Sequence, residues 1–84
     1  MKKMYEVTIV ERGCDDEWPE LYTYDKEEAL KHAEHQNLYR DEKYHCECRE
    51  LEMPDDFDLE AFKDGDSDQV DIYCENYNYN VIND

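Results

Sequence analysis

Basic residues are the scarce component of this sequence. Nine Lys and Arg stand against 25 Asp and Glu in 84 residues, for a formal charge of −16. A chain with no basic footprint is poorly suited to bind DNA, RNA or an anionic membrane, because its field repels phosphate. Glycine and proline number only two each, which excludes a collagen-like or linker-like chain. Aromatic and β-branched residues are plentiful and patterned, so the charge does not signal disorder. No apolar run is long enough to span a membrane, and M-K-K-M-Y-E-V lacks the apolar core of a signal peptide. The expected compartment is therefore the cytoplasm, and Cys14, Cys46, Cys48 and Cys74 are expected as free thiols rather than a disulfide framework. There is no glycine-rich phosphate loop, no cysteine in a marked catalytic context, and no carboxylate pair that stands out for acid–base work. Neither an enzyme nor a bound cofactor is expected.

What the chain does contain is alternation. Lys3 to Arg12 places Tyr5, Val7 and Ile9 on one face and Glu6 and Thr8 on the other, as in a half-buried strand. Gly13 to Pro19 reads as a hairpin loop and Glu20 to Tyr24 as the return strand. Asp25, with Glu28 three residues on, caps a helix that runs to about Asn37. Ala29, Leu30 and Ala33 are its apolar stripe. Leu38 to Lys43 is a polar connector. Tyr44 to Met53 is a third strand, ended by Pro54, with Cys46 and Cys48 on one face as core residues. Asp55 or Asp56 caps a short helix anchored by Phe57, Leu59 and Phe62 and closed by Gly65. Gln69 to Asn80 alternates again and reads as the last strand. The chain is expected to be a single domain, residues 1–84. The expected fold is α+β: a four-stranded, mainly antiparallel sheet with one wet face, one main helix across the other, and a second short acidic helix. The element order is ββαβαβ.

The charge is uneven. Residues 1–49 carry 13 acids and 8 bases, whereas residues 50–84 carry 12 acids and 1 base, Lys63. Two metal readings follow from such a sequence. Asp64, Asp66, Asp68 and Glu75 match positions 1, 3, 5 and 12 of a calcium loop, but Gln69 stands where that loop needs glycine and Asp71 where it needs an apolar residue. Zinc has enough Cys and His in number, but Cys46 and Cys48 form a C-x-C pair of limited bite where zinc fingers separate their pairs by two to four residues, and His32 and His35 sit one turn apart on the helix flank. No metal site is assigned, and a divalent-cation module or an acidic adaptor subunit remain the alternatives to the reading below.

That reading takes the acidic surface as the site: Asp55, Asp56, Asp58, Glu60, Asp64, Asp66, Asp68, Asp71 and Glu75, with Tyr73, Tyr77 and Tyr79 beside them. Tyrosine adds apolar area and a hydroxyl at low entropic cost, as interfaces favour. The expected partner is a basic nucleic-acid-binding protein, with no direct nucleic-acid or membrane contact. In size, charge and layout, with segments such as Y-E-V-T-I-V, Y-T-Y-D-K-E-E-A-L and D-D-F-D-L-E, the chain resembles phage-encoded inhibitors of host defence, in particular anti-CRISPR proteins and other DNA mimics. The resemblance implies a non-enzymatic inhibitor that occupies the DNA-binding or PAM-reading site of a CRISPR-Cas effector in the host cytoplasm. No functional residue is carried over from it.

Overall fold

A computed structural model describes residues 1–39 and 42–83. The chain is α+β, with a four-stranded antiparallel sheet in the order β2-β1-β3-β4. The strands are β1 (Lys2–Glu11), β2 (Glu17–Thr23), β3 (Tyr44–Met53) and β4 (Tyr79–Val81). The helices are α1 (Lys26–Tyr39), α2 (Leu59–Lys63) and α3 (Ser67–Glu75). Of the connector expected over Leu38–Lys43, residues 40 and 41 lie outside the described residues, and α1 runs into its start. No helix among the described residues is long and apolar enough to cross a membrane.

The first face of the sheet is built as its alternation dictates. Tyr5, Val7 and Ile9 of β1 and Cys46 and Cys48 of β3 are buried against Ala29 and Ala33 of α1. Two alanines at the contact let the helix sit close. Asp25 caps α1, accepting from the Glu27 and Glu28 N–H groups at 3.0 and 3.2 Å. Burial pushes the Cys48 thiol up to about 11, so it behaves as an inert hydrophobe.

The second face is not the wet face that alternation suggests. Met4, Leu51 and Met53 are buried there beneath Phe57, Leu59, Phe62, Ile72 and Tyr73, so α2 and α3 cover that half of the sheet. The helices meet this face because Ser67–Glu75 is helical, whereas the expected last strand starts at Gln69. Val70, Ile72 and Cys74 alternate, but Val70 and Cys74 are exposed. The residues that turn inward are Gln69, Ile72, Tyr73 and Asn76, at the three- and four-residue spacing of a helix. Asp66 is the N-cap of α3 and accepts from the Asp68 and Gln69 N–H groups. The last strand is confined to Tyr79–Val81, paired with Arg49–Leu51.

Two smaller corrections have local causes. The cap of α2 is Asp58, which accepts from the Ala61 N–H at 3.2 Å, rather than Asp55 or Asp56. Strand β2 begins at Glu17, so Trp18 and Pro19 belong to it. Its position at the sheet edge tolerates a proline. A register shift opposite Val7 and Thr8 skips Glu20: Leu21 pairs with Val7, and Pro19 with Thr8. Because side chains alternate with period two, this bulge hands Trp18 to the α1 face and Glu17 to the second face. Trp18 accordingly packs edge-on against Tyr44, ring centroids 5.9 Å apart.

Candidate protein-binding surface

The acidic stretch is held on a frame. Phe57 and Leu59 are buried in the second-face core, and Phe62, Ile72 and Tyr73 pack against it. Gly65, with φ of +90°, turns the chain between the two helices in a conformation open to glycine. Gln69 joins the helices from the side: its Oε1 accepts the Asp58 N–H at 2.8 Å. Around this frame Asp55, Asp56, Asp58, Glu60, Asp64, Asp66, Asp68, Asp71 and Glu75 are all exposed. Lys63 is the only base between Asp55 and Glu75 in the sequence. It lies 3.9 Å from Glu60 as an exposed pair of the kind that contributes little.

The carboxylates differ in what else they do. Asp58 and Asp66 are caps, Asp64 is the C-cap residue of α2, and Asp55 takes the Met1 ammonium at 3.0 Å. Asp68, Asp71 and Glu75 fall at i, i+3 and i+7, which makes one stripe along α3. That stripe carries three charges over about 10 Å of helix axis. The calcium loop read from Asp64, Asp66, Asp68 and Glu75 is not formed as a loop, since Ser67–Glu75 is helix and Asp66 is engaged in capping it. Among the described residues no group of three or more His, Cys, Asp and Glu side chains is placed to hold a metal. Cys74, on α3 at the second face, is separated by the sheet from Cys46 and Cys48.

The three tyrosines do not stand beside the carboxylates as a uniform contact strip. They extend an aromatic series that runs Phe57, Phe62, Tyr73, Tyr77, Tyr79, with successive centroids 4.7 to 5.6 Å apart. The series ends on the guanidinium of Arg49, 4.2 Å from the Tyr79 ring centroid. Tyr73 and Tyr77 are half-buried and their hydroxyls turn inward; Tyr79 keeps an exposed flank.

What they turn toward is a buried ionic cluster. Glu6 and Arg49 are each 2 % exposed, on neighbouring strands of the second face. Glu6 accepts from Thr8 and Tyr73, with Arg49 Nη1 at 3.7 Å. Arg49 forms two parallel bonds to Glu17, Nη1–Oε1 at 3.0 Å and Nη2–Oε2 at 2.8 Å. It also donates to Glu47 at 3.0 Å through Nε and to the Tyr77 hydroxyl at 2.8 Å. Burial opposes the charge on Arg49, but the bonds to Glu17, Glu47 and Tyr77 outweigh it and its pKa is raised. The hydrogen bond from Arg49 holds the Glu17 carboxyl below its ordinary value. Burial, and then the bond to Glu6, pushes the Tyr73 phenol well up; burial and Glu6 push Tyr22 up to about 12. Three carboxylates thus face one guanidinium, and neutral hydroxyls complete the coordination of Glu6. The cluster ties β1, β2, β3, α3 and the segment leading into β4 into one unit.

The sequence offered no direct signal for this cluster. Arg49 and Glu6 sit at positions that alternation assigns to solvent, and Glu17 reaches them only through the bulge at Glu20. Two further features accompany the acidic surface. A groove at the start of α2 is lined by Tyr24, Lys2, Asp55, Asp56, Asp58 and Glu60. A second, lined by Glu50, Glu52 and Glu75 with Asn76, Asn78 and Asn80, carries the negative surface onto β3. No family model, no curated protein and no solved structure matches the chain.

Proposed function

We propose that the α2–α3 surface is a binding face for a basic protein, and that the protein inhibits a nucleic-acid-binding partner by occupying the groove its nucleic acid would fill. The observation that carries this reading is the combination of nine exposed carboxylates with a buried aromatic anchor beneath them. Charges kept only for solubility need no fixed spacing, whereas a phosphate substitute does. The three charges on α3 are about 5 Å apart along the axis, wider than the about 3.4 Å per charge of one DNA strand, so a phosphate-like density needs the carboxylates of α2 as well. A CRISPR-Cas effector is one partner whose DNA channel has the required basic lining. A calcium module is disfavoured because the residues that would wrap the ion form a capped helix instead.

Capture from a host-cell lysate tests the reading. The wild-type protein is used as bait beside a variant carrying Asp56→Lys, Glu60→Lys and Asp71→Lys, three exposed positions that cap neither helix. Nucleic-acid-binding proteins retained by the wild type and lost with the variant are the expected outcome. Equal retention by both, or retention of a partner with no basic surface, would overturn it and favour an adaptor role through another face.

A further inference from the structure

The acidic surface meets cations within its own chain. Three of them come from the start of β1: the Met1 ammonium lies 3.0 Å from Asp55, the Lys3 ammonium 3.6 Å from Glu50, and Lys2 Nζ 5.5 Å from the centroid of the Tyr24 ring. Lys2 and Lys3 point to opposite faces because they are adjacent on a strand, so both sides of the β1 end are used. Tyr24 is the aromatic floor of the groove at the start of α2 and is 40 % exposed. Its hydroxyl donates to the Phe57 carbonyl at 3.2 Å.

We propose that the start of β1 is a built-in competitor for the acidic surface, and that Tyr24 is the seat at which a partner's lysine or arginine replaces Lys2. The inference rests on the acidic-face reading above and specifies how one subsite of that face works. A cation within about 6 Å of an aromatic centroid is attracted by the ring's negative face. The surrounding Asp55, Asp56 and Asp58 add a field of the same sign, so the groove receives a cation without selecting whose it is. Lys2 is exposed and on a long flexible stem, so it leaves at little cost when a better-placed cation arrives. The tethered lysine sets a threshold: isolated cations do not displace it, whereas an extended basic surface engaging many carboxylates at once does.

The test uses a fluorescent ten-residue oligolysine and the full chain at low ionic strength, with binding read by anisotropy. Lys2→Ala is compared with Lys31→Ala, which removes the same charge from α1, away from the groove. Lys2→Ala is expected to bind about two- to fivefold more tightly than Lys31→Ala, the scale of one exposed cation–π contact. Tyr24→Leu is expected to bind about two- to fivefold more weakly than wild type, while Tyr24→Phe, which keeps the ring, stays near wild type. Thermal melts confirm that each variant is folded. If the wild type does not bind oligolysine, the acidic-face reading fails and this inference with it. If the wild type binds but Lys2→Ala matches Lys31→Ala, or Tyr24→Leu matches wild type, the inference alone is overturned.

Discussion

Arg49 of β3 reaches across β1 to grip Glu17 of β2 with two parallel hydrogen bonds, at 3.0 and 2.8 Å. The contact exists only because a bulge at Glu20 puts Glu17 on the second face of the sheet. Through the same guanidinium the cluster reaches Tyr77 and Tyr79, and through Glu6 it reaches Tyr73 on α3. The frame that displays the carboxylates is thus locked by an ionic cluster as well as by its aromatic core.

Truncating Arg49 should be among the most damaging single changes. Arg49→Met leaves Glu6 buried without its cation, for an expected loss of about 3–5 kcal/mol in urea denaturation. Adding Glu6→Gln to Arg49→Met should recover part of that loss, because the uncompensated charge is gone. A double variant as unstable as the sum of the two singles would show that the pair is not coupled.

Deleting Glu20 should cost little more than Glu20→Ala. The deletion removes the unpaired residue and leaves Leu21 opposite Val7 and Pro19 opposite Thr8, so Glu17 stays on the Arg49 side and Trp18 on the α1 face. A loss well below that of the Arg49 truncation, about 1 kcal/mol, is expected together with an unchanged Trp18 fluorescence spectrum. A deletion variant as unstable as Arg49→Met, with a changed Trp18 spectrum, would mean that the local twist of the bulge is needed for the Glu17–Arg49 contact.

Stability should fall at both ends of the pH range, for opposite reasons. The Glu17 carboxyl is held below its ordinary 4.5 by Arg49. Its contribution is full above that value and is lost as pH drops through the lower folded-state value. The phenols of Tyr22 and Tyr73 are raised above 10, Tyr22 to about 12. Their contribution is full below pH 10 and is lost as pH rises through the folded-state values. Urea midpoints measured across pH should therefore decline below about pH 4.5 and above about pH 10. Glu17→Gln should flatten the acid limb, and Tyr73→Phe should flatten the alkaline limb while costing stability at neutral pH through the lost bond to Glu6.

The anchor and the charges should separate cleanly. Phe57→Ala removes a ring that is 1 % exposed and is expected to cost about 3–5 kcal/mol. Asp56→Asn and Asp71→Asn are expected to leave the melting temperature unchanged or raise it, because they relieve repulsion and remove no cap. Asp66→Asn should be nearly silent, and Asp66→Ala should cost about 1 kcal/mol through loss of the α3 cap. Thermal melts of the five variants check the ordering.

These separations follow from features that were unequally legible in the chain. Asp25 with Glu28 announced α1, and the run from Tyr44 to Met53 announced β3 with its Cys46 and Cys48 face, because local capping chemistry and period-two patterning acted alone there. The stretch from Gln69 reads as a strand because Val70, Ile72 and Cys74 alternate by chance. The competing signal, Asp66 followed three residues later by Gln69 and an apolar pair at Ile72 and Tyr73, is a helix start. Glu6, Thr8 and Arg49 read as solvent-facing for a different reason. Their burial depends on a bulge and on tyrosines from residues 73–79, which no local pattern encodes. The acidic surface was legible as charge; its split into caps, an α3 stripe and inward-turned tyrosines was not.

The most direct test of the acidic face is competition with DNA for a captured basic partner. Labelled duplex is bound to that partner and titrated with wild-type protein, then with the Asp56→Lys, Glu60→Lys, Asp71→Lys variant, at low and at high salt. Mimicry requires that the wild type displace the duplex, that displacement weaken as salt rises, and that the folded variant displace little or none. Duplex that stays bound in excess wild-type protein at low salt, or that the variant displaces equally well, would contradict it.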